Sequence, residues 1–247
     1  MAGSVAIIIQ ARMGSERLPG KILKNLSTPA LPLPMLQFEI DRLKQIPSKP
    51  RILLATTTNS KDDETERFAK RIGIECVRGS ETDVLDRYYH AAKQIKADII
   101  LRITADCPLI DPEICEQVIQ AIQAGKYDYV SNVLKRTYPR GLDVEAFTFS
   151  TLEKLHREVK EPRYREHVTL YIVENRNQFK THSIESPQNY SQYRLTVDTP
   201  EDFELIQRII LALMPTKPNF RMADVVELLS QHPDWCAINA HIEQKKA

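Results

Sequence analysis

The sequence predicts an α/β protein: one domain with a mostly parallel sheet flanked by helices. Two observations carry this. Short apolar, β-branched runs alternate with segments of helical periodicity through the first half of the chain, the pattern of successive βα units. In addition, no Gly/Ser linker, charge block or internal repeat divides the 247 residues into two units.

Val5–Gln10 is the first expected strand, its Val-Ala-Ile-Ile-Ile run being that of a strand buried on both faces. Met35–Ile46 follows as a helix, with Met35, Leu36, Ile40 and Leu43 near helical spacing. Arg51–Ala55 is the second strand, and Asp62–Ile72 a helix closed by Gly73. Ile74–Val77 is a short strand, Asp83–Ile95 a helix and Asp98–Ile103 another buried strand. Asp111–Ala124 is a helix with Asp111 as its N-cap before Pro112, and Gly125 follows it. Beyond Tyr127 the pattern loosens. Strands are expected at Tyr127–Ser131, Leu142–Phe147, Phe179–Ile184 and Tyr193–Val197, and helices at Ser150–Val159 and Arg165–Asn175. Pro200–Leu213 and Met222–His232 read as closing helices, the first with proline in its opening turn.

A hydrophobic share of 42% and a charged share of 27% belong to an ordinary soluble globular chain. A formal net charge of +1 gives no reason to expect a nucleic-acid or membrane partner, so any phosphate site must be local. No apolar run approaches the roughly 20 residues that span a bilayer. The N-terminus lacks the basic, apolar and small-residue order of a signal peptide. A cytoplasmic location is therefore expected. Cys76, Cys107, Cys115 and Cys236 show neither a Cys-x-x-Cys pair nor zinc spacing, and read as buried thiols.

The loop after the first strand is the most informative segment: Gln10-Ala11-Arg12-Met13-Gly14-Ser15-Glu16-Arg17-Leu18-Pro19-Gly20-Lys21. In an open α/β sheet, ligands bind beyond the carboxyl ends of the strands. Glycines let the backbone approach a ligand closely, while Arg and Lys neutralise phosphate. The chemistry points to a nucleoside triphosphate, although neither the Walker P-loop nor the dinucleotide fingerprint is present.

Arg12-x-Gly14-Ser15-x-Arg17-Leu18-Pro19-x-Lys21 resembles the signature of the nucleotidyltransferases that make CMP-sugars. Within them it is closest to the branch named after spore coat polysaccharide biosynthesis protein F, related to the acylneuraminate and Kdo cytidylyltransferases. The resemblance runs in order from Val5 to about Leu213, and implies a GT-A-like, Rossmann-like fold. It also implies that residues 127–190 form a sugar-side and dimerisation elaboration; residues 200–247, read from their own helical pattern, close the domain as C-terminal helices, and the final thirty or so carry no family signature.

Three further segments carry the resemblance. Arg78-Gly79-Ser80-Glu81-Thr82-Asp83-Val84-Leu85-Asp86-Arg87-Tyr88 borders the nucleotide base in the family, implying that Arg78 and Ser80 read cytosine and that Asp83 orders the loop. Read from the residues alone, Ser80 or Thr82 caps the following helix. Arg102-Ile103-Thr104-Ala105-Asp106-Cys107-Pro108 places Asp106 after a strand, where a carboxylate suits Mg²⁺; a turn-forming Asp is the alternative. Arg194-Leu195-Thr196-Val197-Asp198-Thr199-Pro200-Glu201-Asp202 resembles the late Asp-Thr-Pro-Glu-Asp signature, whose first Asp completes the metal site. Asp198 as a helix cap is its alternative, and Thr196 stands where acylneuraminate enzymes often carry a further Asp.

The resemblance thus implies nucleotide binding by Gln10, Ala11, Arg12, Gly14, Ser15, Lys21, Arg78, Ser80 and Asp83. Catalysis falls to Arg12, Lys21, Asp106 and Asp198, with Mg²⁺ held by the two acids. Lys21, at the far end of its loop, is expected to close over the triphosphate. Arg140, Asp143, Arg165 and His167 line the sugar side, Arg165 alternatively belonging to a solvated helix face. The implied reaction takes CTP and an acidic sugar to CMP-sugar and pyrophosphate, in a homodimer touching through the insert around Lys135–Leu142. A GT-A glycosyltransferase, a nucleotidyltransferase for another triphosphate and a non-catalytic nucleotide-binding subunit are the rival readings. One departure from the family pattern is the proline-rich Ser27–Pro34, which replaces a Gly-Lys-Pro element and should stiffen that loop.

Overall fold

The opening apolar run forms β1 (Val5–Gln10), whose central residues are buried and which lies in mid-sheet in the computed structural model. The structure describes residues 3–26 and 32–244, so the Ser27–Leu31 part of the proline-rich departure lies outside the described residues. β1 pairs in parallel with β2 (Arg51–Thr57) and β4 (Ile99–Thr104), and β2 pairs in parallel with β3 (Glu75–Gly79). The period-2 geometry of a strand sends Ile7 and Ile9 to one apolar layer and Ile8 to the other. The first layer packs against α1 (Met35–Leu43), α4 (Pro112–Gln123) and α8 (Pro200–Leu213). The second packs against α3 (Val84–Gln94) and α5 (Phe149–Glu158). α2 (Asp63–Arg71) ends at Gly73, whose φ of +70° is the left-handed conformation that favours glycine after a helix.

The other half of the sheet is mixed. β6 (Glu145–Thr148) runs antiparallel to β4, and β5 (Tyr129–Ser131) antiparallel to β6. β7 (Thr181–Ser183) adds in parallel to β5, giving the order β3-β2-β1-β4-β6-β5-β7. A mostly parallel sheet flanked by helices is thus the observed architecture.

Two expected elements differ. The helix expected over Arg165–Asn175 is two short ones, α6 (Pro162–Glu166) and α7 (Leu170–Glu174). The break falls at Val168, which is buried with φ +50°, next to Thr169, whose hydroxyl donates to Glu145 at 2.7 Å. Burying Val168 and satisfying the Glu145 carboxylate outweigh continuing the helix. Nor is Tyr193–Val197 a ladder strand. It meets the sheet region through one bridge, Arg140 to Arg194. Its amides go elsewhere, Leu195 N–H to Arg140 O (2.7 Å) and Val197 N–H to Asp106 O (2.8 Å). Its apolar alternation is real, since Leu195 and Val197 are buried, but it records packing and not sheet membership.

α9 (Met222–Gln231) follows α8 and packs against it, and α10 (Pro233–Cys236) packs against α9. Among the described residues, all four cysteines are free, and no helix is long and apolar enough to cross a membrane.

Candidate active site

The first loop leaves β1 where β1 and β4 end side by side, Gln10 opposite Thr104. It is tied down at once. Ala105 N–H donates to Gln10 O (3.1 Å), and Met13 N–H donates to the buried carboxylate of Asp62 (2.7 Å). Gly20, at φ +66°, turns the chain into a single 3₁₀ turn, Lys21–Leu23. That turn carries Lys21 back under the loop.

Lys21 Nζ donates to Asp106 Oδ2 (3.2 Å), Asp198 Oδ1 (3.0 Å) and Val197 O (2.7 Å). Burial alone would lower its pKa, but the two carboxylates outweigh it and the pKa is raised. Without nucleotide, the lysine expected to close over substrate is paired with both carboxylates, its side chain 12% exposed.

Asp198 also meets Arg17 Nη2 and Arg194 Nη2, each at 3.1 Å. Burial opposes its ionisation, yet Lys21, Arg17 and Arg194 together hold its pKa below the usual carboxylate range. It is not the helix cap. Thr199 caps α8, in a reciprocal capping box with Asp202. Asp202 is fully buried and accepts from Arg194, the Asp198 and Thr199 amides, and Asn239. Asp106 is held by its own strand end, accepting from the Thr104 hydroxyl at 2.6 Å. Its carbonyl accepts from Val197 N–H and from the Thr196 hydroxyl (3.1 Å), which sets the register of Asp198 against Asp106. Gly141 makes that approach possible: at φ +99°, a Cβ there would sit 2.3 Å from the Leu195 carbonyl carbon.

Above this pair lies a cavity of ≈ 510 Å³, lined among others by Gln10, Arg12, Gly14, Ser15, Lys21, Asp106 and Asp198. Arg17, Glu16, Glu81 and Glu166, none of them singled out as a site residue although each lies in a segment that the resemblance brings to the site, also line it. Arg17 was visible in the motif; Glu166 reaches the cavity only because α6 folds back against α3. Three basic and five acidic side chains line the cavity, an acidic surplus before any ligand binds. Behind Asp106, Glu39 of α1 is fully buried; burial, then the charge of Asp106, push its pKa well up.

The remaining nominated residues lie outside the lining. Ala11 is buried in the core. Arg78 donates to Thr57 O and Asn59 O and pairs with Asp63 and Glu66, so its guanidinium braces β3 against α2. Ser80 accepts from Asp83 N–H (3.0 Å), and Asp83 itself caps α3. Arg165 joins Asp83 (2.6 Å) to the carbonyls of His156 and Val159, so it is neither a solvated face nor a cavity residue. Asp143 forms a two-pronged pair with Arg136. His167 ends α6. Arg140 lies by a separate cavity with Arg194, its pKa lowered by burial and by Arg136. Asp111 is the N-cap of α4, as expected, and also accepts from Met222 N–H.

A basic loop and two carboxylates at the carboxyl edge of a parallel sheet form the layout of a nucleotidyltransferase. The sequence profile described as Cytidylyltransferase matches residues 6–231. The chain belongs to the cytidylyltransferase family. It is 34% identical over 239 residues to spore coat polysaccharide biosynthesis protein SpsF of Bacillus subtilis, covering 93% of this chain and 95% of that protein. It is 37% identical to the uncharacterized protein MJ1063 of Methanocaldococcus jannaschii, covering 96% and 95% of the two. A solved cytidylyltransferase from Leptospira borgpetersenii superposes with a TM-score of 0.89 at 36% identity, covering 99% of this chain and 100% of that one. A CMP:2-keto-3-deoxy-manno-octonic acid synthetase solved with CTP shares the fold, with a TM-score of 0.64 at 18% identity over 85% of this chain and 99% of that one.

Proposed function

We propose that the protein transfers CMP from CTP to the anomeric hydroxyl of an acidic sugar, giving CMP-sugar and pyrophosphate. The observation that carries this reading is Lys21 seated between Asp106 and Asp198 beneath the basic loop. Two convergent carboxylates suit Mg²⁺, a hard cation held by one or two carboxylates plus phosphate oxygens. The acidic surplus of the cavity points the same way, since a triphosphate entering it needs added positive charge. Asp106 and Asp198 would hold Mg²⁺, which when bound offsets the charge of the reacting phosphate.

The residues of the chain do the rest. Arg12 and Arg17 face the cavity and bind the phosphates, and Arg17 is held in place by Asp198. Gly14 and Ser15 offer the loop backbone to them. The base end is assigned to the loop before α3, whose Glu81 reaches the cavity, with Asp83 and Ser80 keeping the loop in shape. Arg78, fully engaged elsewhere, is not kept as a base reader. The sugar oxygen bonds to the α-phosphorus as the bond to pyrophosphate breaks and the hydroxyl proton passes to solvent, and catalysis comes from positioning and charge. On the family pattern the enzyme works as a homodimer in the cytoplasm.

Pyrophosphate release measured with CTP, UTP, ATP and GTP against acidic and neutral sugars tests this. Release only with CTP, an acidic sugar and Mg²⁺ is expected. Equal release with neutral sugars would remove the acidic acceptor, and indifference to the base would remove CTP.

A further inference from the structure

The helices α3 and α5 bring together a second group of metal-binding side chains, away from the catalytic carboxylates. Asp86 and His90 are one helical turn apart on α3 and share a face, and His156 reaches them from α5. Asp86 Oδ1 lies 2.8 Å from His156 Nε2 and 3.4 Å from His90 Nε2. One ligand atom from each residue lies within 4.8 Å of the other two. Ligands about 2.0–2.1 Å from a tetrahedral zinc ion stand about 3.3 Å apart, so the three atoms need little movement to surround one. A helix tether needs only the Asp86–His156 hydrogen bond; the second imidazole converging on the same oxygen goes unexplained by that role.

The rings are held in place. Tyr89 stacks on His156, centroids 4.0 Å apart at 9°, and meets His90 edge-on at 5.3 Å. Lys93 of α3 donates to the Tyr89 hydroxyl at 3.2 Å. The His90 side chain is 61% exposed, leaving an open side for water as a further ligand.

We propose that Asp86, His90 and His156 form a binding site for a borderline transition-metal ion of the Zn²⁺ or Co²⁺ class, which clamps α3 to α5. Two imidazoles and a carboxylate favour such ions over Mg²⁺, which prefers oxygen. The clamp lies close to the catalytic cavity. Asp86 N–H donates to Asp83 (2.9 Å), and Arg165 links Asp83 to the His156 carbonyl. Occupancy would therefore stiffen the loop carrying Glu81 and the α6 turn carrying Glu166.

The full-length protein, stripped with chelator and kept free of nucleotide, is titrated with Co²⁺ and Zn²⁺. One Zn²⁺ retained per chain, a visible Co²⁺ absorption band and a raised Tm are expected. His90→Gln and His156→Gln should each weaken Zn²⁺ binding at least 10-fold, whereas Asp106→Asn and Asp198→Asn should leave the retained equivalent in place. His90 is exposed, so His90→Gln decides the matter even if His156→Gln fails to fold. Unchanged Zn²⁺ retention in His90→Gln, or no retention by the wild-type protein, overturns the proposal.

Discussion

Asp106 and Asp198 meet at one ammonium, but they are delivered by unlike regions of the molecule. Asp106 stands at the end of β4 in the regular parallel half, fixed by strand register and the Thr104 hydroxyl. Asp198 ends an irregular stretch with no ladder of its own, and is fixed by Arg194, the buried Asp202 and Asn239 from the C-terminal region. A strand end positions a side chain through backbone bonds that survive most substitutions. An irregular segment positions one through side chains, so single changes in its scaffold should reach both stability and activity.

The largest expected effect is on that scaffold. Asp202→Ala leaves Arg194 without its buried partner and should cost about 3–5 kcal/mol of stability, read by urea unfolding. A loss under 1 kcal/mol would show that the backbone alone holds Asp198. Next, Asp106→Asn and Asp198→Asn should each cut turnover at least ~100-fold, about 2.7 kcal/mol of barrier. Asp106→Asn should do so with an almost unchanged Tm, and equal Tm losses in the two variants would erase the contrast between the regions.

Lys21→Met should come third, lowering stability by about 2 kcal/mol because two carboxylates are left facing each other. Added Mg²⁺ should restore part of that without nucleotide, which calorimetry can follow; an Mg²⁺-insensitive variant would separate the lysine from the metal site. Arg17→Ala should raise the KM for CTP about 10-fold, near 1.4 kcal/mol. The smallest effect is on pH. Asp198 has a lowered pKa when folded, so its stabilisation is present above the ordinary carboxylate pKa and is lost as pH falls through the folded value. Asp198→Asn should therefore flatten the stability profile below about pH 4. An acid limb as steep as the wild type's would assign it to other carboxylates.

The two regions were also unequally legible. The βα units from Val5 to Gln123 were readable because periodicity and capping act within a few residues, as with Asp111 and Gly73. Past Tyr127 the same signals misled: Leu195 and Val197 alternate like a strand but answer to Asp106 and Arg140, and Val168 breaks a helix to be buried. At the site, the motif loops pointed to Arg12, Lys21, Asp106 and Asp198, which the fold gathers at one cavity. Arg78, from one of those motifs, and Arg165, expected on the sugar side, were captured by nearby acids and carbonyls.

By itself the sequence determined the α/β class, most element positions in the first half, and the loops that line the cavity, because each is encoded in local spacing and residue type. Only the tertiary structure decided that Lys21 pairs with Asp106 and Asp198, that Arg17 and Glu166 face the cavity, and that Asp202 supports Asp198. Those outcomes depend on which distant groups satisfy a buried charge. Lys21 and Asp198 are 177 positions apart in the chain, and no local pattern records the contact between them.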